Sequence, residues 1–316
     1  MAAKTGKHAA PPPETPGRPG RRKASARKRK RTPRAIMVLR IVFALAFCVA
    51  AYRIADALVS NSREQHTFRE LQVIKAQSAA QAAQGAAQAT DTPETGPQQT
   101  EQAPQGTATD VPAEAAPPTG LVPLPQYAQL RAMNSEFFGW LTIEDLEIDY
   151  PVMYSPVRPE YYLTRDFYGK ESLTGVPFID EKCPPDGNFY LIHGHHITDL
   201  RFKSMFGKLF AYDDAAYWRE HPTFRFDTVY EEREYEVLAA FYTKIYFEED
   251  KDVFRYYRCT DLRDPAVFEE YVREVKAAAC YDTGVTAVYG DELIALSTCS
   301  YHDANGRFVI VAKRLS

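Results

Sequence analysis

Between residues 139 and 313 the chain runs through short apolar bursts, each closed by turn residues. They read "GWLTI" (139–143), "IDYPVMY" (148–154), "VPFID" (176–180), "NFYLIHGH" (188–195), "TFRFDTV" (223–229), "REYEVLAAFYT" (233–243), "ELIALSTC" (292–299) and "RFVIVAK" (307–313). Eight strand-like runs in under 200 residues predict a mainly β fold, a closed or nearly closed eight-stranded barrel. Two stretches have helical spacing instead, 204–221 and 264–280. The first offers Phe206, Leu209, Phe210, Tyr217 and Trp218 to a core. "YAQLRAMNSEFFGWL" (127–141) predicts a short amphipathic N-terminal helix that breaks at Gly139. No internal repeat is visible.

Upstream the pattern changes twice. Residues 35–52, "AIMVLRIVFALAFCVAAY", are apolar except for Arg40, and "ADALV" extends the run, so 35–59 is expected to be a transmembrane signal anchor. Arg40 lies close enough to its end to snorkel. The small-residue triplets "VAA" and "ADA" keep a cleaved signal peptide as the competing reading. Residues 61–76 allow a short continuing helix. From 76 to 120 the chain is Ala, Gln, Thr and Pro without an aromatic residue, too poor in apolar surface to fold by itself. Residues 60–120 are therefore expected to be a flexible, disordered stalk that gives a folded domain at 121–316 its reach.

Charge sharpens this division. Twelve of the 38 Lys and Arg residues fall in 1–34 with a single acid, Glu14, leaving 26 basic against 41 acidic side chains beyond them. The net charge of −4 thus joins a strongly basic tail to a remainder near −15. Positive charge beside the span predicts a cytoplasmic N-terminus and an outward-facing C-terminal domain in a single-pass plasma-membrane protein. The basic tail reads as a topology determinant near anionic lipid rather than a nucleic-acid arm.

Five cysteines, Cys48, Cys183, Cys259, Cys280 and Cys299, contain no CxxC pair and no zinc-finger spacing. A Cys259–Cys280 disulfide would leave Cys299 free, but spacing does not decide it. Three of the seven histidines cluster in "LIHGHHITDL" (191–200), as His193, His195 and His196. On a strand His193 and His195 share a face and His196 opposes them, so at most two ligate one metal. A plain structural role at a strand end is the second reading. The third pairs one imidazole with Cys299, since a nearby cation favours the thiolate and histidine carries protons. Arg307 cannot be a base, but it can hold a carbonyl or an oxyanion.

The turn between Cys299 and Arg307 discriminates among these readings. A two-residue hairpin at Asn305-Gly306 would set Cys299 opposite Ala312, about 16 Å along the strand from the level of Arg307. A wide loop over 300–306 would set Cys299 and Arg307 face to face. The Asn-Gly pair favours the first arrangement, and shared chemistry needs the second.

"LSTC" followed eight residues later by Arg in "GRFVIVAKRL", with upstream "HGHHITDLRFKSMFGKL", resembles the class B sortases, membrane-anchored cysteine transpeptidases of Gram-positive bacteria. "GWLTI…IDYPVM", "YYLTRDFYG" and "GVPFID" follow the same order, so the resemblance covers roughly residues 125–316. It implies a sortase-type barrel with helical insertions, among them the helix at 264–280. It also implies Cys299 as nucleophile, His195 as acid/base, and Arg307 on the substrate carbonyl or oxyanion. Ser297, Thr298 and Leu163 would line the sorting-signal groove. His196 stands where the family has Asn. No counterpart of the class A calcium set is evident, so no metal and no other cofactor is expected. The implied reaction cleaves a C-terminal sorting signal of exported proteins at a Thr carbonyl. A thioacyl enzyme forms, and the protein passes to an amine of a peptidoglycan precursor or a pilin. The rivals are an exported Cys/His peptidase or L,D-transpeptidase acting on cell-wall peptides, and a membrane-tethered binding module with an inert thiol.

Overall fold

A computed structural model describes residues 34–89, 121–197 and 205–315, which divide into two units, Met1–Arg53 and Ile54–Ser316. Residues 1–33 of the expected basic tail (1–34) and residues 90–120 of the expected stalk lie outside the described residues. Helix α1 (Arg34–Ala89) begins in the first unit. Its Ile36–Ala55 stretch of 20 residues is long and apolar enough to cross a membrane, which is consistent with single-pass anchoring.

In the second unit eight strands close into a barrel. They are β1 (Phe137–Ile143), β2 (Ile148–Tyr154), β3 (Phe178–Ile179), β4 (Phe189–His193), β5 (Thr223–Thr228), β6 (Glu234–Lys244), β7 (Leu293–Cys299) and β8 (Gly306–Arg314). Their order is β1-β2-β3-β4-β7-β8-β6-β5, and pairing of β1 with β5 closes the ring. The strands match the runs read from the sequence, shortened mainly at β3 and β4. Two neighbouring pairs are parallel, β2 with β3 and β4 with β7, and parallel neighbours need long crossovers. The β2–β3 crossover, 155–177, supplies part of the candidate site. Every residue of β7 before Cys299 is buried, because both faces of this strand are covered.

Helix α2 (Pro125–Met133) ends six residues before the expected break at Gly139. Asn134 stops it: its backbone is extended, its Oδ1 accepts from Glu136 N at 2.9 Å, and its amide donates to Phe167 O. Phe137 then opens β1. The helix expected at 204–221 is also interrupted. A 3₁₀ stretch, Gly207–Asp213, is followed by α3 (Ala215–Glu220), with Asp214 extended between them and its carboxylate capping Ala216 N. Helix α4 (Pro265–Ala278) fits its expected range, starting at an Asp264 cap followed by proline and burying Phe268, Tyr271 and Val275.

The expected stalk needs correction where it overlaps α1. Residues 60–89 are helical, and Glu64, Thr67, Leu71 and Ser78 are buried, at spacings of three, four and seven. Phe68 meets Tyr150 edge-on at 4.9 Å, and Lys75 Nζ lies 2.8 Å from Asp149 and over the Trp140 ring. Leu71 joins a core cluster with Tyr127, Trp140, Tyr162 and Val176. Ala, Gln and Glu are strong helix formers, and a narrow stripe of partners suffices to dock such a helix. Composition alone reads that stripe as solvent-facing.

Candidate active site

The site grows from three strands that lie side by side, β4, β7 and β8. Antiparallel pairing of β7 with β8 runs from Leu293↔Lys313 to Cys299↔Arg307, so the last residue of β7 faces the second residue of β8. The wide-loop arrangement is the observed one, and the two-residue hairpin favoured by Asn-Gly does not form. Asn305 takes the left-handed conformation (φ +58), but Gly306 already belongs to β8. Glycine is required there for another reason: a Cβ would collide with Ser300 O, the carbonyl of the residue whose N–H donates to Gly306 O at 2.9 Å. The six residues Ser300–Asn305 thus form the loop. Directly opposed residues share a face with Cβ atoms about 4.5–5.5 Å apart, so thiol and guanidinium begin as neighbours.

Arg307 is half-buried. Its Nη1 donates to the Asn305 and Gly306 carbonyls at 3.3 and 3.0 Å, which holds the side chain back over its own turn. Among the described residues no carboxylate lies within salt-bridge distance of it. The positive charge is therefore left for whatever enters the groove.

On the other side of Cys299, β4 and β7 pair in parallel with His193 opposite Ser297. Gly194 N donates to Ser297 O at 3.1 Å, and Thr298 Oγ1 donates to Gly194 O at 2.8 Å, carrying the alignment past the end of β4. His195 follows two residues past the end of β4, on the strand line that runs beside β7, while Arg307 is paired with Cys299 on the other side.

The three histidines have separate partners. His195 Nε2 lies 2.8 Å from Leu163 O. A carbonyl only accepts, so Nε2 carries a proton and donates it to this bond. His196 Nδ1 donates to Cys299 O at 3.0 Å, and its ring packs 4.9 Å from Phe210 and 5.2 Å from Tyr301. His193 Nε2 contacts Asp180 Oδ2 at 3.1 Å. Burial raises the Asp180 carboxyl, but the bond from His193, the N–H of Lys182 and neighbouring positive charge outweigh it and hold the group below its ordinary value. Among the described residues no group of three or more His, Cys, Asp or Glu converges to hold a metal ion.

Ser297 and Thr298, expected to line a groove, are each only 2% exposed. Thr298 spends its hydroxyl on Gly194 O, and Ser297 Oγ meets Tyr256 OH at 2.7 Å. Both therefore set the β4–β7–β8 seam. Leu163 is half-buried on the β2–β3 crossover and turns its carbonyl to His195. Sequence reasoning missed that carbonyl, which carries no side-chain signature. It also missed Tyr256, a buried residue of "DVFRYY" that bonds Ser297 and feels the charge of Arg307. Burial pushes its phenol up to about 12, against the hydrogen bond from Ser297 and the Arg307 charge.

All five cysteines are free thiols, so Cys259 and Cys280 are not joined. Burial raises the thiols of Cys183 (to about 12), Cys259 and Cys280.

No protein-family model matches the chain. Sortase B of Listeria monocytogenes is 32% identical over 188 residues, which cover 58% of this chain and 72% of that protein. A solved structure of sortase B from Listeria monocytogenes superposes with a TM-score of 0.50 at 32% identity, over 58% of this chain and 97% of the Listeria chain. A crystal structure of sortase B complexed with triglycine matches with a TM-score of 0.52 at 26% identity, over 61% of this chain and 86% of the other.

Proposed function

Because the chain belongs to the class B sortases, a family of transpeptidases, we propose that it cleaves a sorting signal of exported proteins at a Thr carbonyl and transfers the new acyl end to an amine. The observation that supports this reading is the pairing of Cys299 with Arg307 across β7 and β8, with His195 two residues past the end of β4, which runs along the other side of β7.

Cys299 is the nucleophile. Its thiol proton passes to the Nδ1 lone pair of His195, whose Nε2–H stays on Leu163 O, and the sulfur adds to the Thr carbonyl carbon. Negative charge develops on the carbonyl oxygen, and Arg307 stabilises it. Collapse of the tetrahedral intermediate breaks the C–N bond, and His195 returns its proton to the leaving amine. An incoming amine then attacks the thioester, gives its proton to His195, and expels the Cys299 thiolate, which is reprotonated. The triglycine held by the sortase B neighbour is such an amine-bearing peptide. Leu163 borders the site and meets the signal, while the buried Ser297 and Thr298 act only through the seam they shape.

The substrates are sorting-signal-bearing exported proteins of the Asn-Pro-x-Thr-Asn or Asn-Pro-x-Thr-Gly kind, with a peptidoglycan-precursor or pilin amine as acceptor. Residues 35–59 anchor the enzyme in the plasma membrane, N-terminus inside and catalytic domain outside, where both substrates meet.

The test incubates the full-length protein in detergent micelles with a library of such pentapeptides and triglycine, read by mass spectrometry. The expected result is cleavage after Thr, a thioacyl adduct on Cys299 and a triglycine-linked product. Hydrolysis of cell-wall peptides without acyl transfer would favour the peptidase rival. Absence of any adduct on Cys299 would favour the inert binding module.

A further inference from the structure

The Leu163 carbonyl that fixes the His195 tautomer belongs to a crossover loop, and that loop is held by helix α1. Glu64 on α1 is buried and accepts three hydrogen bonds from described residues of the crossover. Its Oε1 takes Ser172 Oγ at 2.9 Å and Leu173 N at 2.7 Å, and its Oε2 takes Thr174 Oγ1 at 2.7 Å. Ser172 Oγ in turn accepts from Gly175 N at 2.9 Å, while Ser172 N donates to Thr164 O at 3.1 Å. Gly175 takes φ +59 and lies so close to the preceding turn that a Cβ would sit 2.5 Å from Leu163 O. Val176 N donates to Tyr162 O at 3.1 Å and closes the clamp. The 172–176 segment therefore braces both neighbours of Leu163 and the edge of its carbonyl, and Glu64 organises that segment.

We propose that Glu64 is a positioning residue for His195, acting through the Ser172–Gly175 segment and the Leu163 carbonyl; the helix leading from the apolar N-terminal stretch is thereby part of the catalytic apparatus. The inference rests on the assignment of His195 as acid/base.

A carboxylate is suited to this place. Three donors from consecutive residues converge on it, which a single neutral acceptor oxygen does not satisfy, and charge-assisted bonds are shorter and stronger than neutral ones. Without the carboxylate the segment loses its organising acceptors, and the Leu163 carbonyl loses a wall. Misplacing a reacting group by about 1 Å costs on the order of 10²-fold in rate, so a partial loss of aim is expected to cost about tenfold.

The experiment uses the full-length protein in micelles and compares Glu64→Ala, Glu64→Gln and Lys75→Ala with wild type. Lys75→Ala removes another tie between α1 and the barrel, the contacts with Asp149 and Trp140, without touching the 172–176 segment. Transfer to triglycine gives kcat and KM, and histidine-selective ¹⁵N spectra give the His195 tautomer. Glu64→Ala should lower kcat about tenfold, leave KM within about twofold, and mix the Nδ1–H form into a His195 signal that is Nε2–H in wild type. Glu64→Gln, which keeps one acceptor oxygen for Leu173 N and Ser172 but turns an amide nitrogen to Thr174, should recover part of kcat. Lys75→Ala should lower the melting temperature while leaving kcat and tautomer unchanged. The proposal is overturned if Glu64→Ala leaves kcat and tautomer as in wild type, if Glu64→Gln is as impaired as Glu64→Ala, or if Lys75→Ala impairs both equally. Should the wild-type protein transfer no peptide, the proposed function falls, and the tautomer in Glu64→Ala still decides this inference.

Discussion

His196 donates a 3.0 Å hydrogen bond from Nδ1 to the main-chain carbonyl of Cys299, while the next histidine back, His195, turns Nε2 to Leu163 on a different segment. Two adjacent imidazoles thus have different tasks: one braces the backbone of Cys299, and the other is tied through Nε2 to the crossover carbonyl, as the proposed acid/base role requires.

This division predicts unequal mutants. Cys299→Ala should abolish thioacyl formation. His195→Ala should lower kcat by about 10²–10⁴, the usual contribution of a positioned acid/base. His196→Ala should cost about 1 kcal/mol of stability, the typical net worth of one hydrogen bond, and far less turnover. Steady-state transfer to triglycine alongside thermal melts checks all three, and the reverse order for the two histidines would sink the assignment.

Arg307→Ala should lower kcat by about 10²–10³, as expected when one oxyanion donor is lost. Arg307→Lys should recover only part of this, because an ammonium lacks the planar fork that here also bonds two turn carbonyls through Nη1. Urea unfolding should show at most about 1–2 kcal/mol of lost stability from the two turn bonds, with the protein still folded under assay conditions, which separates lost chemistry from lost fold.

Gly306→Ala tests the loop. The added methyl meets Ser300 O, a backbone atom that cannot rotate away. A destabilisation of about 1–3 kcal/mol is expected, as for overpacking in general. Slower acylation should accompany it, since the Cys299↔Arg307 pairing depends on that approach. Urea midpoints and adduct formation rates provide the check.

The Asp180–His193 contact predicts an acid-sensitive contribution to stability. The folded-state pKa of Asp180 lies below its unfolded value of about 3.9, so its contribution is complete above that value and is lost as pH falls through the folded pKa. Asp180→Asn should therefore be less stable than wild type near neutrality, with the gap closing below about pH 4. Urea unfolding across that range reads it directly; a gap independent of pH would mean the carboxylate is not the source.

Thiol reactivity separates the cysteines. Cys183 is buried with its thiol pushed up to about 12, and burial also raises Cys259 and Cys280. A maleimide at neutral pH should label Cys299 ahead of these three, and a bound signal peptide should protect it. Peptide mapping after brief labelling gives the order.

Much of the barrel was legible because its strands are short apolar runs bounded by turn residues, several of them buried on both faces. All eight runs became strands, and the helical spacing read at 264–280 became α4. The misreadings share a cause. Asn134 and Asp214 interrupt helices through side-chain bonds to nearby N–H groups, and those bonds compete with a periodicity that otherwise continues. The Ala/Gln-rich segment was read as stalk because docking α1 takes only a narrow stripe around Leu71, which composition averages away. The Asn-Gly pair was misleading because its glycine is needed for a close approach rather than for a positive φ.

By itself the sequence determined the apolar N-terminal stretch, the strand number and the three residue types expected to do chemistry, since these depend on local pattern and side-chain identity. Tertiary structure decided which atoms meet. The register of β8 on β7 sets Arg307 opposite Cys299, β4 on the other side of β7 ends two residues before His195, and a main-chain carbonyl at Leu163 holds the Nε2 proton of His195. Backbone carbonyls are the same in every residue, so no letter in the chain announces that one of them will do this; only the packing of a distant crossover, held by α1, puts it there.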